Sequence, residues 1–148
     1  KANALAAIKK AGLVEPRNPS KEISFPADLT DLTSQELGQV LTAYTGYLVY
    51  AEYLVAMADI EHTSYANKLE YVKSGELLKD EVQEYRNVSE RNACVEQNSD
   101  VRKARTLADG AKAKGSLAKA LLSGYDRIAY AVSREISRRQ QEFDMTKR

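Results

Sequence analysis

The residues of this chain best suited to chemistry are cations, and they crowd its last third. Arg102, Lys103, Arg105, Lys112, Lys114 and Lys119 open that stretch, and Arg127, Arg134, Arg138, Arg139, Lys147 and Arg148 follow. Lys and Arg clustered in this number along one element are the footprint of phosphate contacts, because each neutralised phosphate releases condensed counterions. The candidate nucleic-acid-binding residues are therefore Arg102, Lys103, Arg105, Lys112, Lys114, Arg134, Arg138 and Arg139. For Arg138 and Arg139 the helix dipole offers a second explanation, since it favours positive charge near a C-terminus.

A net charge of +1 conceals strong segregation. Residues 101–148 carry twelve Lys/Arg against five Asp/Glu, net +7; residues 28–100 carry five against fourteen, net −9; residues 1–27 carry five against two, net +3. Such asymmetry fits a polyanionic ligand, or pairing of acidic and basic parts between subunits.

Other reactive side chains are less well placed. His62 is the sole imidazole and lies beside Asp59 and Glu61, but positions 58 and 66, one turn away, are alanine. It lacks the partners of a general base or a metal site and reads as a packing or interfacial histidine. Glu70, Glu76, Asp80, Glu81 and Glu84 have no Glu-x-x-His companion and read as a solvated acidic face. Cys94 is the only cysteine, which excludes an internal disulfide and a thiolate zinc site within one chain. With no glycine-rich phosphate loop and no nucleophile elbow, neither enzymatic activity nor a cofactor or metal is expected. Tyr44, Tyr47, Tyr50 and Tyr53 recur every three residues, so each ring sits about 60° back from the last on a helix. They sweep half its circumference, as base-stacking platforms or, the favoured reading, as core and subunit interface.

The elements that position these residues follow from apolar spacing. Leu37, Leu41, Tyr44, Leu48, Ala51, Val55, Ala58, His62, Tyr65, Leu69 and Val72 alternate four- and three-residue steps, the heptad pattern of a long helix packed lengthwise. Thr33 and Glu36 read as its capping box, and Ser74-Gly75 as its stop, giving roughly 60 Å of helix. A second seam runs through Val101, Ala104, Ala108, Ala111, Gly115, Ala118, Leu122, Tyr125, Ala129, Val132, Ile136 and Phe143. Its alanines and glycines are expected to make room for the tyrosines of the first seam, with Gly110, Gly115 and Gly124 retained where packing demands them. The expected fold is all-α: a long antiparallel helical hairpin, or elongated coiled-coil-like bundle, with helices over about 33–73, 77–97 and 100–143. Residues 1–30 are expected to form a short helix over 2–11, ended by Gly12, and an arm containing Pro16, Pro19 and Pro26, with Ile23 and Phe25 docking on a neighbour; residues 31–148 form the hairpin. Tyr47, Val49 and Leu54 fall off the main seam, so the hairpin is expected to assemble as a homo-oligomer. There is no apolar run of membrane-spanning length and no leader pattern, so a cytoplasmic protein without membrane contact is expected.

Asn98-Ser99-Asp100-Val101-Arg102-Lys103, Ser123-Gly124 and Ser133-Arg134, set within this order of helices, resemble helical accessory proteins of tailed bacteriophages, and among them the T4-type phage recombination mediator family. The resemblance implies an oligomer that helps to load a recombinase on single-stranded DNA in the host cell, with Arg102, Lys103 and Arg134 at the DNA. The chain departs from that family in its proline-containing arm and its acidic middle. The alternatives are a structural or assembly protein, such as a phage small terminase subunit or virion component, and a protein-only adaptor that meets a phage or host partner through Asp80, Glu81 and Glu84.

Overall fold

The computed structural model describes residues 6, 10–12, 14–19, 24–26 and 28–147. Its first long helix begins where the sequence satisfies the free donors of a helix start. The Glu36 backbone N–H donates to Thr33 Oγ1 at 3.2 Å, and the Thr33 backbone N–H donates to Glu36 Oε2 at 2.7 Å, a reciprocal capping box. Helix α1 spans Ser34–Leu77, followed by the single turn α2 (Asp80–Gln83), α3 (Val88–Gln97) and the long α4 (Ser99–Thr146). No strand occurs among the described residues, and the fold is an all-α helical hairpin of α1 and α4. Thr33→Ala is expected to cost about 1 kcal/mol, read as a lower urea midpoint at unchanged slope; an unmoved midpoint would mean that the cap does not hold α1.

Two helix limits differ from the sequence expectation. Ser74-Gly75 does not stop α1: Ser74 Oγ donates to the Glu70 carbonyl at 2.8 Å, and the helix continues until Leu77 packs on Val82, Val95 and Val101. Burying a leucine offsets the roughly 1 kcal/mol that a helical glycine costs. The single helix expected over 77–97 is broken between α2 and α3, because Asn87 adopts extended backbone and its side chain accepts from the Ser89 N–H at 2.9 Å, starting α3 afresh. Asn98 does the same for α4, accepting from the N–H groups of Asp100 and Val101 at 2.8 and 3.3 Å.

Most of the helix expected over 2–11 lies outside the described residues, as does Ile23. Ala6 and Lys10 are helical, and Gly12 takes a φ of 72°, the left-handed conformation that ends helices. Residues 14–19 and 24–26 have no regular secondary structure.

The described residues divide into two compact units, one within Lys1–Gly12 and Val55–Ser116, the other within Leu13–Leu54 and Leu117–Arg148. In the first, Val82, Val95 and Val101 form a core to which Leu69, Val72 and Cys94 add, and Met57, Ala58, Ala104, Ala108 and Ala111 are buried. A Cβ on Gly115 would lie 3.6 Å from both Ala58 Cβ and Asp59 Oδ1. Small residues thus meet small residues here, and Gly115 faces no tyrosine, contrary to expectation. At Gly110 and Gly124 nothing lies within 4 Å of that position, so packing does not demand glycine there.

In the second unit Leu37, Val40, Tyr44 and Val132 are buried, and Leu29, Leu32, Leu41, Tyr47, Tyr125, Ile128 and Ile136 pack around them. Tyr44 meets Tyr47, Tyr125 and Phe25 edge-on at centroid distances of 5.3, 6.0 and 6.2 Å. Tyr47, expected to be uncovered, is half-buried in this cluster, whereas Val49 and Leu54 are exposed. The seam positions Leu48, Val55, Leu69 and Leu122 are half-buried. Phe143 breaks the expected seam: it is 58% exposed under the Lys147 ammonium, at a hollow that it lines with Ser34 and Leu37 near the start of α1. No helix among the described residues is long and apolar enough to cross a membrane.

Candidate nucleic-acid interface

Because the buried seam takes one face of α4, most of its cations are left on the flanks and back of that helix. In the first unit Arg102, Lys103, Arg105, Lys112 and Lys114 are all exposed. Arg102, Arg105 and Lys112 follow three- and seven-residue steps along one flank of the buried seam, and Lys103 and Lys114, eleven residues apart, lie on its other flank. Arg102 Nε donates to the Glu96 carbonyl at 3.3 Å, and Arg105 pairs with the Glu96 carboxylate, which also holds Lys73 at 3.0 Å. Lys103 meets Asp100 at 3.5 Å and Lys114 meets Glu61 at 3.8 Å. Lys112 has no carboxylate partner among the described residues. The acidic middle therefore touches the basic helix at single points. The exposed Lys103–Asp100 pair contributes about 0–1 kcal/mol, so a phosphate can displace that carboxylate.

The C-terminal cations of the second unit sort differently. Arg139 is half-buried, and its guanidinium donates to the carbonyls of Leu32, Thr30 and Leu29 at 2.6, 3.0 and 3.1 Å and to Glu135 Oε1 at 2.7 Å. Every branch of its fork is committed, so Arg139 leaves the set of phosphate contacts and joins the core. Arg138 binds Glu135 through Nε and Nη2 at 2.8 and 2.7 Å, and Glu142 as well. Hydrogen bonds from Arg138 and then Arg139 hold the Glu135 carboxyl down at about 2. Two carboxylates offset Arg138, which makes it a weak anion site. Arg134 is exposed and has no carboxylate partner among the described residues; its guanidinium lies 5.9 Å from the Tyr130 ring centroid.

None of the four spaced tyrosines is fully exposed. Tyr44 is buried, Tyr47, Tyr50 and Tyr53 are half-buried, and the Tyr53 hydroxyl donates to Glu15, which pushes its phenol up to about 12. A cleft of about 720 Å³ opens beside them, lined by Phe25, Tyr44, Tyr47, Tyr50 and Tyr125. Rings elsewhere are exposed, Tyr71, Tyr85, Tyr130 and Phe143 among them, and Tyr130 lies beside a guanidinium; sequence reasoning missed the stripe that it shares with Arg127 and Arg134. Three- and four-residue spacing opposite the seam was the available signal. His62 is half-buried, and no three His, Cys, Asp or Glu side chains converge as a metal site among the described residues.

Compared with family models, curated proteins and solved structures, the chain matches none.

Proposed function

We propose that this chain is a non-enzymatic, homo-oligomeric phage nucleic-acid accessory protein that binds DNA, single-stranded by preference, through phosphates along α4, in the manner of the recombination mediators that it resembles. The observation that carries the reading is the set of five exposed cations on α4, Arg102, Arg105 and Lys112 on one flank of the buried seam and Lys103 and Lys114 on the other, with Lys112 free of any carboxylate among the described residues. A helix fixes the spacing of such charges, and phosphate recognition needs little else.

The test is fluorescence polarisation with labelled single- and double-stranded DNA across a salt series, with the oligomer mass recorded in the same buffers. Five phosphate contacts give a slope of log affinity against log salt of about −3 to −4 for single strands. Arg102→Glu, Lys103→Glu and Arg105→Glu combined are expected to flatten that slope and abolish binding at moderate salt. An oligomer held by apolar faces keeps its mass over the same range. A stable oligomer indifferent to both nucleic acids would overturn the proposal in favour of a structural or assembly protein. The exposed Val49, Leu54, Leu117 and Leu121 give that second reading its support.

A further inference from the structure

On α4 the residues Arg127, Tyr130, Arg134, Ser137 and Gln141 advance by three, four, three and four, which aligns them on one face. All five are exposed, and they lie on the opposite side of the helix from the buried Val132. The stripe covers about 21 Å at 1.5 Å per residue. Tyr130 is 65% exposed, so its ring is open to a ligand. The Arg134 guanidinium sits 5.9 Å from the ring centroid, a cation–π geometry. Tyr130, Arg134, Ser137 and Gln141 line one shallow depression of about 750 Å³. Arg127 and Arg134 have no carboxylate partner among the described residues, whereas the neighbouring Arg138 and Arg139 are bound to Glu135.

We infer that this stripe is a single-strand subsite in which a base stacks on Tyr130 while Arg127 and Arg134 take the flanking phosphates. The inference rests on the nucleic-acid reading above and adds to it a site that recognises bases. Each component answers one part of an unstacked nucleotide: the ring answers the base face, Arg127 and Arg134 the phosphates, and Ser137 and Gln141 the polar edge of the base. A duplex keeps its base faces stacked, so the ring discriminates in favour of single strands. An acidic peptide would use the arginines and leave the ring idle.

The experiment compares wild-type, Tyr130→Ala and Tyr130→Phe proteins on a short labelled oligothymidylate and on an abasic strand of equal length. Tyr130→Ala is expected to weaken oligothymidylate binding about 5- to 150-fold, the range of one lost stacking contact. Binding to the abasic strand should be unchanged, and Tyr130→Phe should bind both strands as wild type does. Because Tyr130 is exposed, its truncation leaves the core intact, and equal far-ultraviolet circular dichroism serves as the check. Salt-sensitive binding with no difference between wild type and Tyr130→Ala on oligothymidylate would overturn the subsite and leave the phosphate reading standing. Absence of wild-type binding to both strands would overturn the two together.

Discussion

Leu37→Ala is expected to lower the unfolding free energy by about 3–4 kcal/mol, within the range for a leucine truncated in a packed core. Leu37 is fully buried against a core whose other buried members are Val40, Tyr44 and Val132. The cavity has little freedom to collapse: Val132 is also fully buried, and the turn carrying Leu29 and Leu32 is held by Arg139. Domain stabilities are about 5–15 kcal/mol, so one such cavity consumes a large share. Urea unfolding with the slope compared between proteins is the measurement, and Leu117→Ala is the control. Leu117 is 65% exposed, so its truncation is expected to change stability by less than about 0.5 kcal/mol. A Leu37 effect below about 1 kcal/mol would show that the start of α1 is not packed as described. A Leu117 effect rivalling that of Leu37 would show that a second copy covers this face.

The two seams and the capping box were legible in the sequence because they are local. Periodicity at 3.6 residues reports which face of a helix is buried, and Thr33 and Glu36 satisfy each other without help from elsewhere. The break between α2 and α3 has a local signal too, Asn87 followed three residues later by Glu90, which the expectation of one helix over 77–97 left unused. The end of α1 was not: Gly75 argues for a stop, and only the distant contacts of Leu77 with Val82, Val95 and Val101 reverse it. Nor was the meeting of Gly115 with Ala58, because a seam shows which residues are buried and leaves the register between helices open. The candidate interface divides along the same line. Exposure of Arg102, Lys103, Lys112 and Lys114 follows from their phase relative to the seam. The role of Arg139 depends on carbonyls more than a hundred residues away in sequence, which no spacing rule reaches.

Arg139→Ala is expected to cost about 2–3 kcal/mol, because it removes the partner of three main-chain carbonyls and of Glu135 at once. Four charge-assisted bonds would sum to more, but the side chain is 24% exposed, so water replaces part of what is lost. Arg139→Lys is expected to recover less than half, since one ammonium cannot reproduce a planar fork that reaches Leu29, Thr30 and Leu32 together. The same cluster sets an acid dependence. Glu135 is held at about 2 against an ordinary 4.5 by hydrogen bonds from Arg138 and Arg139. Between those values the folded chain binds fewer protons at this site than the unfolded chain does, so stability falls as the pH falls. The contribution is complete above about 4.5 and is lost as the pH drops through about 2. Glu135→Gln removes that component, so the gap in stability between wild type and Glu135→Gln should be widest above 4.5 and close towards 2. A gap that stays constant over this window would mean that the arginines do not hold the carboxylate. If the gap closes in wild type but is already small in Arg139→Ala, the pair acts as one unit, and the turn before α1 is fastened to α4 by charge as well as by apolar contact.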